Sequence, residues 1–191
     1  AQSAFFFGRA TETDELFRLV RRAPLTVLFG QSGLGKTSLL QAALFPRLRE
    51  ADLLPLLLRL DHDEKAPPLA AQVRAVINRA IEHREVDAPP CGEDEELWAY
   101  FHRKDVDFWS ARNRLIVPVL VFDQFEEIFT LGRATPERRE RGQRFLEELA
   151  DLVEQRPSAA LRARLEAGTV EAARFDFDHE FCKVVLSLRE D

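Results

Sequence analysis

The sequence predicts an α/β fold built on a parallel sheet flanked by helices. Three observations carry the prediction. Four short apolar runs, at 24–29, 54–60, 115–123 and 181–188, have the length and apolar content of buried strands, the first with β-branched members. Segments with apolar residues at helical spacing separate them, the alternation that a parallel sheet with crossover helices needs. One strand-to-helix junction, Gly30-Gln31-Ser32-Gly33-Leu34-Gly35-Lys36-Thr37, fits G-x-x-x-x-G-K-[ST]. A single domain is expected over 1–191, with a leading segment and helix at 1–23 and the core at 24–191.

The elements follow in order. Residues 11–22 read as a helix: Thr11 or Thr13 is a candidate N-cap, acids come early, and Arg21 and Arg22 end it. Leu16, Phe17, Leu19 and Val20 supply its apolar face. Pro24 ends the helix and begins the first strand. After the glycine loop, residues 38–45 carry apolar side chains at helical spacing, with Pro46 expected to stop them. The run 54–60 is a second strand. Residues 69–85 form a helix with Leu69, Val73, Val76, Ile77, Ala80 and Ile81 on one face. Pro89-Pro90 and Gly92 mark a loop. Leu97, Trp98, Phe101, Phe108 and Trp109 are expected to pack as core aromatics. Pro118 would cost a ladder bond in mid-strand, so the third strand is expected to start there. Thr135-Pro136 signals an N-cap with proline at the first helical position, and that helix should run to about Arg156. Pro157-Ser158 breaks the pattern, which resumes to Ala167. A fourth strand is expected over 181–188.

The glycine loop has a chemical reading. Gly30, Gly33 and Gly35 allow positive φ and close approach of backbone to a ligand. Backbone N–H groups of the loop, with the positive end of the following helix, suit an anion. Residues Gly30 to Lys36, with Thr37 and Ser38, therefore form a candidate phosphate cradle of the P-loop or Walker A type. Lys36 would reach the β- and γ-phosphate oxygens, and Thr37 would offer its hydroxyl to Mg²⁺. A glycine turn with a solvated lysine would leave the rest of the pattern unexplained.

Such a loop needs a metal partner. Val119-Leu120-Val121-Phe122-Asp123 is an apolar strand ending in an acid. In an open parallel sheet ligands bind outside the carboxyl ends of the strands, which would set Asp123 beside Thr37 as a second Mg²⁺ group. Gln124 stands where a second acid commonly follows. Glu126 and Glu127 are the nearby candidates to orient or deprotonate an attacking water. Arg189 ends the fourth strand at the same sheet edge, where a cation could sense a γ-phosphate.

Composition excludes several classes. The 191 residues carry a net charge of −6, so there is no basic footprint for general nucleic-acid binding. No apolar run approaches a membrane span, and no signal peptide is apparent. Cys91 and Cys182 have neither disulfide-framework nor zinc spacing, which fits a cytoplasmic compartment. The chain lacks methionine and stops straight after a strand-like run, and is expected to be a piece of a longer polypeptide.

These residues resemble a known family. Phe-Gly-Arg ahead of the first helix, the loop with its flanks (Pro24 to Leu40) and Val119 to Thr130 with its Asp-Gln-Phe-Glu-Glu resemble the STAND class of P-loop NTPases. So does the terminal Val-Val-Leu-Ser-Leu-Arg-Glu-Asp. The novel STAND NTPases, found mostly in bacteria, match best. The resemblance implies the additional-strand P-loop fold, with the fourth strand between the first and third and the chain cut after the sensor strand. It implies a signalling switch that rests with Mg·ADP, exchanges it for ATP when a trigger protein or ligand engages, hydrolyses slowly and self-associates to act. It implies Gly8 and Arg9 near adenine and ribose, Arg189 as sensor, and Glu127 rather than Glu126 as the catalytic acid. Sensor and effector regions that follow in the family are missing from this chain. Two other functions stay open: a work-performing AAA-like ATPase acting on DNA or protein, and a scaffold that holds nucleotide with weak or no hydrolysis.

Overall fold

The structure is a computed structural model and describes residues 9–130, 135–178 and 182–190. The chain forms two compact units. One gathers Ala1–Arg59, Ile116–Glu126 and Cys182–Asp191; the other holds Leu60–Leu115 and Glu127–Phe181.

The first unit contains the whole sheet: β1 (Leu25–Gln31), β2 (Leu53–Leu58), β3 (Val117–Phe122) and β4 (Lys183–Glu190). All pairs are parallel, in the order β1-β4-β3-β2. The last strand in sequence thus lies between the first and third, as the resemblance implies. Helix α1 (Ala10–Arg22), the short α2 (Lys36–Ser38) and α3 (Phe45–Glu50) belong to this unit. Leu16 and Val20 of α1 and Leu40, Leu44 and Leu48 of the second helical stretch pack with Val119, Val121 and Val185. Strand alternation puts those three valines on one face, and full burial of each such side chain contributes about 2 kcal/mol. Leu19, expected on the apolar face of α1, is 48% exposed. Residues 13, 16 and 20 follow the helical period, and position 19 falls to the side of that stripe.

The two strand prolines cost little. The Asp123 N–H donates to the Leu58 carbonyl, so even-numbered residues of β2 face β3 with their backbone groups. Pro55 is odd and its missing donor faces away from β3. Pro118 sits one residue before the β3–β4 ladder, which begins at Val119↔Lys183. Its missing donor therefore breaks no bond, and β3 starts at Val117.

Pro46 does not stop the helix. Between α2 and α3, residues Leu39–Leu44 form a π-helical turn in which the Phe45 N–H reaches back five residues to the Leu40 carbonyl. The wider turn lets Pro46 enter at the start of α3, where its missing N–H is tolerated, and helical backbone continues to Glu50.

The second unit is helical: α4 (Leu69–Glu82), α5 (Leu97–His102), α6 (Glu127–Thr130), α7 (Pro136–Val153) and α8 (Ala159–Glu166). Thr135 caps α7 by accepting from the Arg138 N–H, and Ser158 caps α8 through the Leu161 N–H. The expected core aromatics Trp98, Phe101 and Phe108 are buried, with Tyr100 beside them, but Trp109 is 38% exposed. Residues 168–178 deliver Phe175 to a cluster with Trp98, Ala99 and Leu161. Cys91 and Cys182 are buried free thiols. Burial pushes the Cys91 thiol up to about 12.

One side chain ties the proline-rich loop to α4. Asn78 Nδ2 donates to the Cys91 carbonyl at 2.9 Å, and its Oδ1 accepts from the Cys91 N–H at 2.8 Å. Asn78→Ala strips both partners from a buried residue, at an expected cost of about 2–4 kcal/mol. The check is a lower urea midpoint at unchanged m-value; an unmoved midpoint would show that water replaces both bonds.

Candidate functional site

The loop after β1 turns sharply. Gly33 and Gly35 have φ of +78° and +71°, a region that side-chain-bearing residues rarely adopt. Gly30, expected to share this property, does not: it lies within β1 and is absent from the positive-φ glycines. A Cβ there would meet only Leu34 at 3.8 Å and Lys36 at 4.0 Å.

Lys36 opens α2 and folds back over the loop. Its Nζ donates to the carbonyls of Gly30 at 2.5 Å and Gln31 at 2.9 Å. The ammonium is held at the mouth of the loop by neutral acceptors that an anion can displace. Thr37 Oγ1 donates to Asp123 Oδ2 at 2.7 Å, across 86 positions of sequence. The carboxyl end of β3 therefore meets the start of the helix, as strand direction requires. Asp123 is 8% exposed.

Arg189 stands opposite Gly30 in the β1–β4 register. Its Nη2 donates to Ser32 Oγ at 2.7 Å, and its backbone N–H donates to Glu126 Oε2 at 3.2 Å. The sheet edge is thus stitched by three contacts between distant segments: loop to β3, loop to β4, and the β3 turn to β4.

These groups line one cavity of about 220 Å³, formed by Ser32, Gly33, Gly35, Lys36, Thr37, Asp123, Gln124, Glu126, Ser187 and Arg189. At roughly 30 Å³ per water it has room for a phosphate group and several waters. Two cations and two carboxylates face it, which suits a polyanion accompanied by a metal. The hydroxyl of Thr37 and the carboxylate of Asp123 are hard oxygen donors. Two protein oxygens, completed by phosphate and water, are the usual set for Mg²⁺. Among the described residues no cluster of three or more His, Cys, Asp or Glu could hold a metal by itself.

The remaining expected residues fall as follows. Gln31, the last residue of β1, and Leu34 on the loop are exposed, and Ser38 closes α2. Arg9 is the residue before α1, and its carbonyl accepts from both the N–H and Oγ1 of Thr13. Thr13 thus works from inside the helix and is not the N-cap. Gly8 lies outside the described residues. Glu127 is the first residue of α6, in the second unit, where its charge raises the pKa of His62 against the larger lowering by burial.

Two cavity residues were not singled out as candidates from the sequence. Ser187 is 1% exposed and follows Val185 on the same face of β4. Gln124 sits in the left-handed region with φ of +57°. A serine interrupting an apolar strand one turn of the pleat before its end was the available signal for the first. Nothing in sequence marks the turn that brings the second inward.

Among the described residues no helix is long and apolar enough to cross a membrane. The family model for Novel STAND NTPase 1 matches residues 1–191. No curated protein matches the chain. A solved structure titled "Structure of E. coli MS115-1 HORMA:CdnC:Trip13 complex" contains a chain that is 14% identical, with a TM-score of 0.50, over 99% of this chain. At that identity the likeness speaks for the fold alone. The present chain spans 58% of the length of that one.

Proposed function

Because the chain belongs to the Novel STAND NTPase 1 family, we propose that the cavity binds the phosphates of ATP or ADP with Mg²⁺ and that the protein is a STAND-type switch. In this reading it rests with ADP, hydrolyses ATP slowly and self-associates in the ATP state. The observation that supports it most is the meeting of Lys36, Thr37, Asp123 and Arg189, from three strand ends, around one cavity. Lys36 would exchange its two carbonyl acceptors for phosphate oxygens. Thr37 and Asp123 would hold Mg²⁺, which when bound neutralises charge on the β- and γ-phosphates. Arg189 would leave Ser32 to meet the γ-phosphate. Arg9, with Gly8, would lie toward the base and ribose.

Two acids compete for the attacking water. The family pattern favours Glu127. Glu126 lines the cavity and accepts from the Arg189 backbone, so it is the alternative. Glu127→Gln is expected to bind Mg·ATP within about threefold of wild type and to hydrolyse it about 100-fold more slowly, the usual scale for loss of a general base. Unchanged single-turnover hydrolysis in that variant, with loss in Glu126→Gln, would move the role to Glu126.

The switch reading is tested by purifying the protein without added nucleotide, denaturing it and quantifying the nucleotide released. Near-stoichiometric ADP is the expected result. An empty site with rapid multiple turnover on adding ATP, at constant assembly state, supports a motor-type ATPase instead. An empty site that fails to bind Mg·ATP leaves a scaffold.

A further inference from the structure

Ser187 and Gln124 carry an unexplained cost. Ser187 Oγ and Gln124 Oε1 are both buried and have no hydrogen-bond partner. An unsatisfied buried polar atom is costly, and native proteins keep few of them. Both residues line the cavity with Lys36, Thr37 and Asp123. Their placement follows from the sheet. Val121 pairs with Val185 and Phe122 with Leu186, so the next step sets Asp123 beside Ser187 on one face. The Phe125 N–H then donates to the Ser187 carbonyl at 2.9 Å, turning the chain after β3 back over β4. Gln124 lies inside that turn, at positive φ. The backbone thus accepts strain at a residue that is not glycine and leaves two oxygens unpaired at the same place.

The chemistry of the missing partner is constrained. Gln124 Oε1 is an acceptor only, so it needs a hydrogen donor. Phosphate oxygens of a bound nucleotide at neutral pH bring no such hydrogen. A water does, and it can also exchange a hydrogen bond with the Ser187 hydroxyl.

We propose that Gln124 and Ser187 together hold the water that attacks the γ-phosphate, an inference that rests on the nucleotide reading above. The step balances without a further reactant. The water oxygen bonds to the γ-phosphorus, and the bond from that phosphorus to the β–γ bridging oxygen breaks. Its electron pair stays on ADP, and both water protons leave on the inorganic phosphate. Gln124 fixes one hydrogen of the water and Ser187 steadies its oxygen, so the attacking lone pair is aimed before reaction begins.

The test uses the full 191-residue chain and the variants Gln124→Ala, Ser187→Ala and the double variant. Binding of Mg·ADP, single-turnover hydrolysis of Mg·ATP and thermal unfolding are measured on each. Each single variant is expected to bind Mg·ADP within about threefold of wild type and to hydrolyse about tenfold more slowly, the loss of roughly 1.4 kcal/mol of transition-state stabilisation. The double variant should also be about tenfold slow, because one water is lost once. Ser187→Ala should unfold at or above the wild-type temperature, since it removes an unpaired buried hydroxyl. A hydrolysis rate equal to wild type in both single variants overturns the proposal. So does a double variant slowed by the product of the singles, which would mean two separate roles. A lower unfolding temperature in Ser187→Ala without slower hydrolysis would identify a structural water instead. Wild type that binds Mg·ATP but never hydrolyses it removes the attacking water and this inference, yet leaves the binding site standing. Wild type that binds no nucleotide overturns the underlying reading itself.

Discussion

Lys36→Ala is expected to weaken binding of Mg·ATP and Mg·ADP by about 100-fold or more while leaving the empty protein almost as stable as wild type. The first half follows from charge. A charge-assisted hydrogen bond contributes about 1.5–3 kcal/mol, and a lysine between two phosphates makes more than one. The second half follows from the bonds that Lys36 makes within the chain. Its bonds go to the carbonyls of Gly30 and Gln31, at the mouth of an open loop where water can replace them. The comparison is made by fluorescent-nucleotide titration and by thermal unfolding with and without ligand. For wild type, ligand at about 100 times its Kd adds about 2.7 kcal/mol of stability; for the variant that increment should nearly vanish. Equal ligand stabilisation in the two proteins would refute the phosphate role of the loop.

Asp123→Asn is the second large effect. Asparagine can still accept from Thr37 Oγ1, so the 2.7 Å contact and the local fold should survive. The charge does not survive, and a neutral amide is a poor Mg²⁺ ligand. ATP should bind with similar affinity with or without Mg²⁺, where wild type binds far better with it. Single-turnover hydrolysis should fall about a thousandfold, a loss of roughly 4 kcal/mol of electrostatic stabilisation. Retained Mg²⁺ dependence would show that the metal is held elsewhere. Because Asp123 is almost fully buried, removing its charge should not lower the unfolding temperature of the empty protein.

Most of the sheet could be read from the chain because its strands are continuous apolar runs, although the expected burial fails on one face of β1, where Val27 and Phe29 are 49% and 61% exposed. The loop and Asp123 could be read because their chemistry dictates residue types at fixed spacing. What could not be read depends on contacts between distant segments. Pro46 was a stop signal until the π-helical turn ahead of it made room. Pro118 was a broken rung until β4 proved to start one residue later. The flanking helix of β1 kept its stripe but lost Leu19 from it, a matter of helical phase over a single residue. In the site, Ser187 showed only as a serine interrupting an apolar strand, and Gln124 had no local mark. Their significance lies in the β3–β4 register and in one turn of positive φ. Gly30 shows the converse: the motif is present, but the conformational freedom that glycine offers is used at Gly33 and Gly35 only.

The strand order has a consequence for how the protein is made. β4 supplies the partner of β1 on one side and of β3 on the other, yet it is synthesised after both. Until it emerges, the Gly30–Thr37 loop and Asp123 already exist in the nascent chain on strands that have nothing between them. Closing that gap pairs Leu25 with Val184, far apart in sequence, a long-range pairing of the kind that slows folding and leaves strands exposed to aggregation in the meantime. A ribosome-bound or truncated chain ending before Lys183 would carry both sequence motifs complete and still lack Ser187 and Arg189 from the cavity wall.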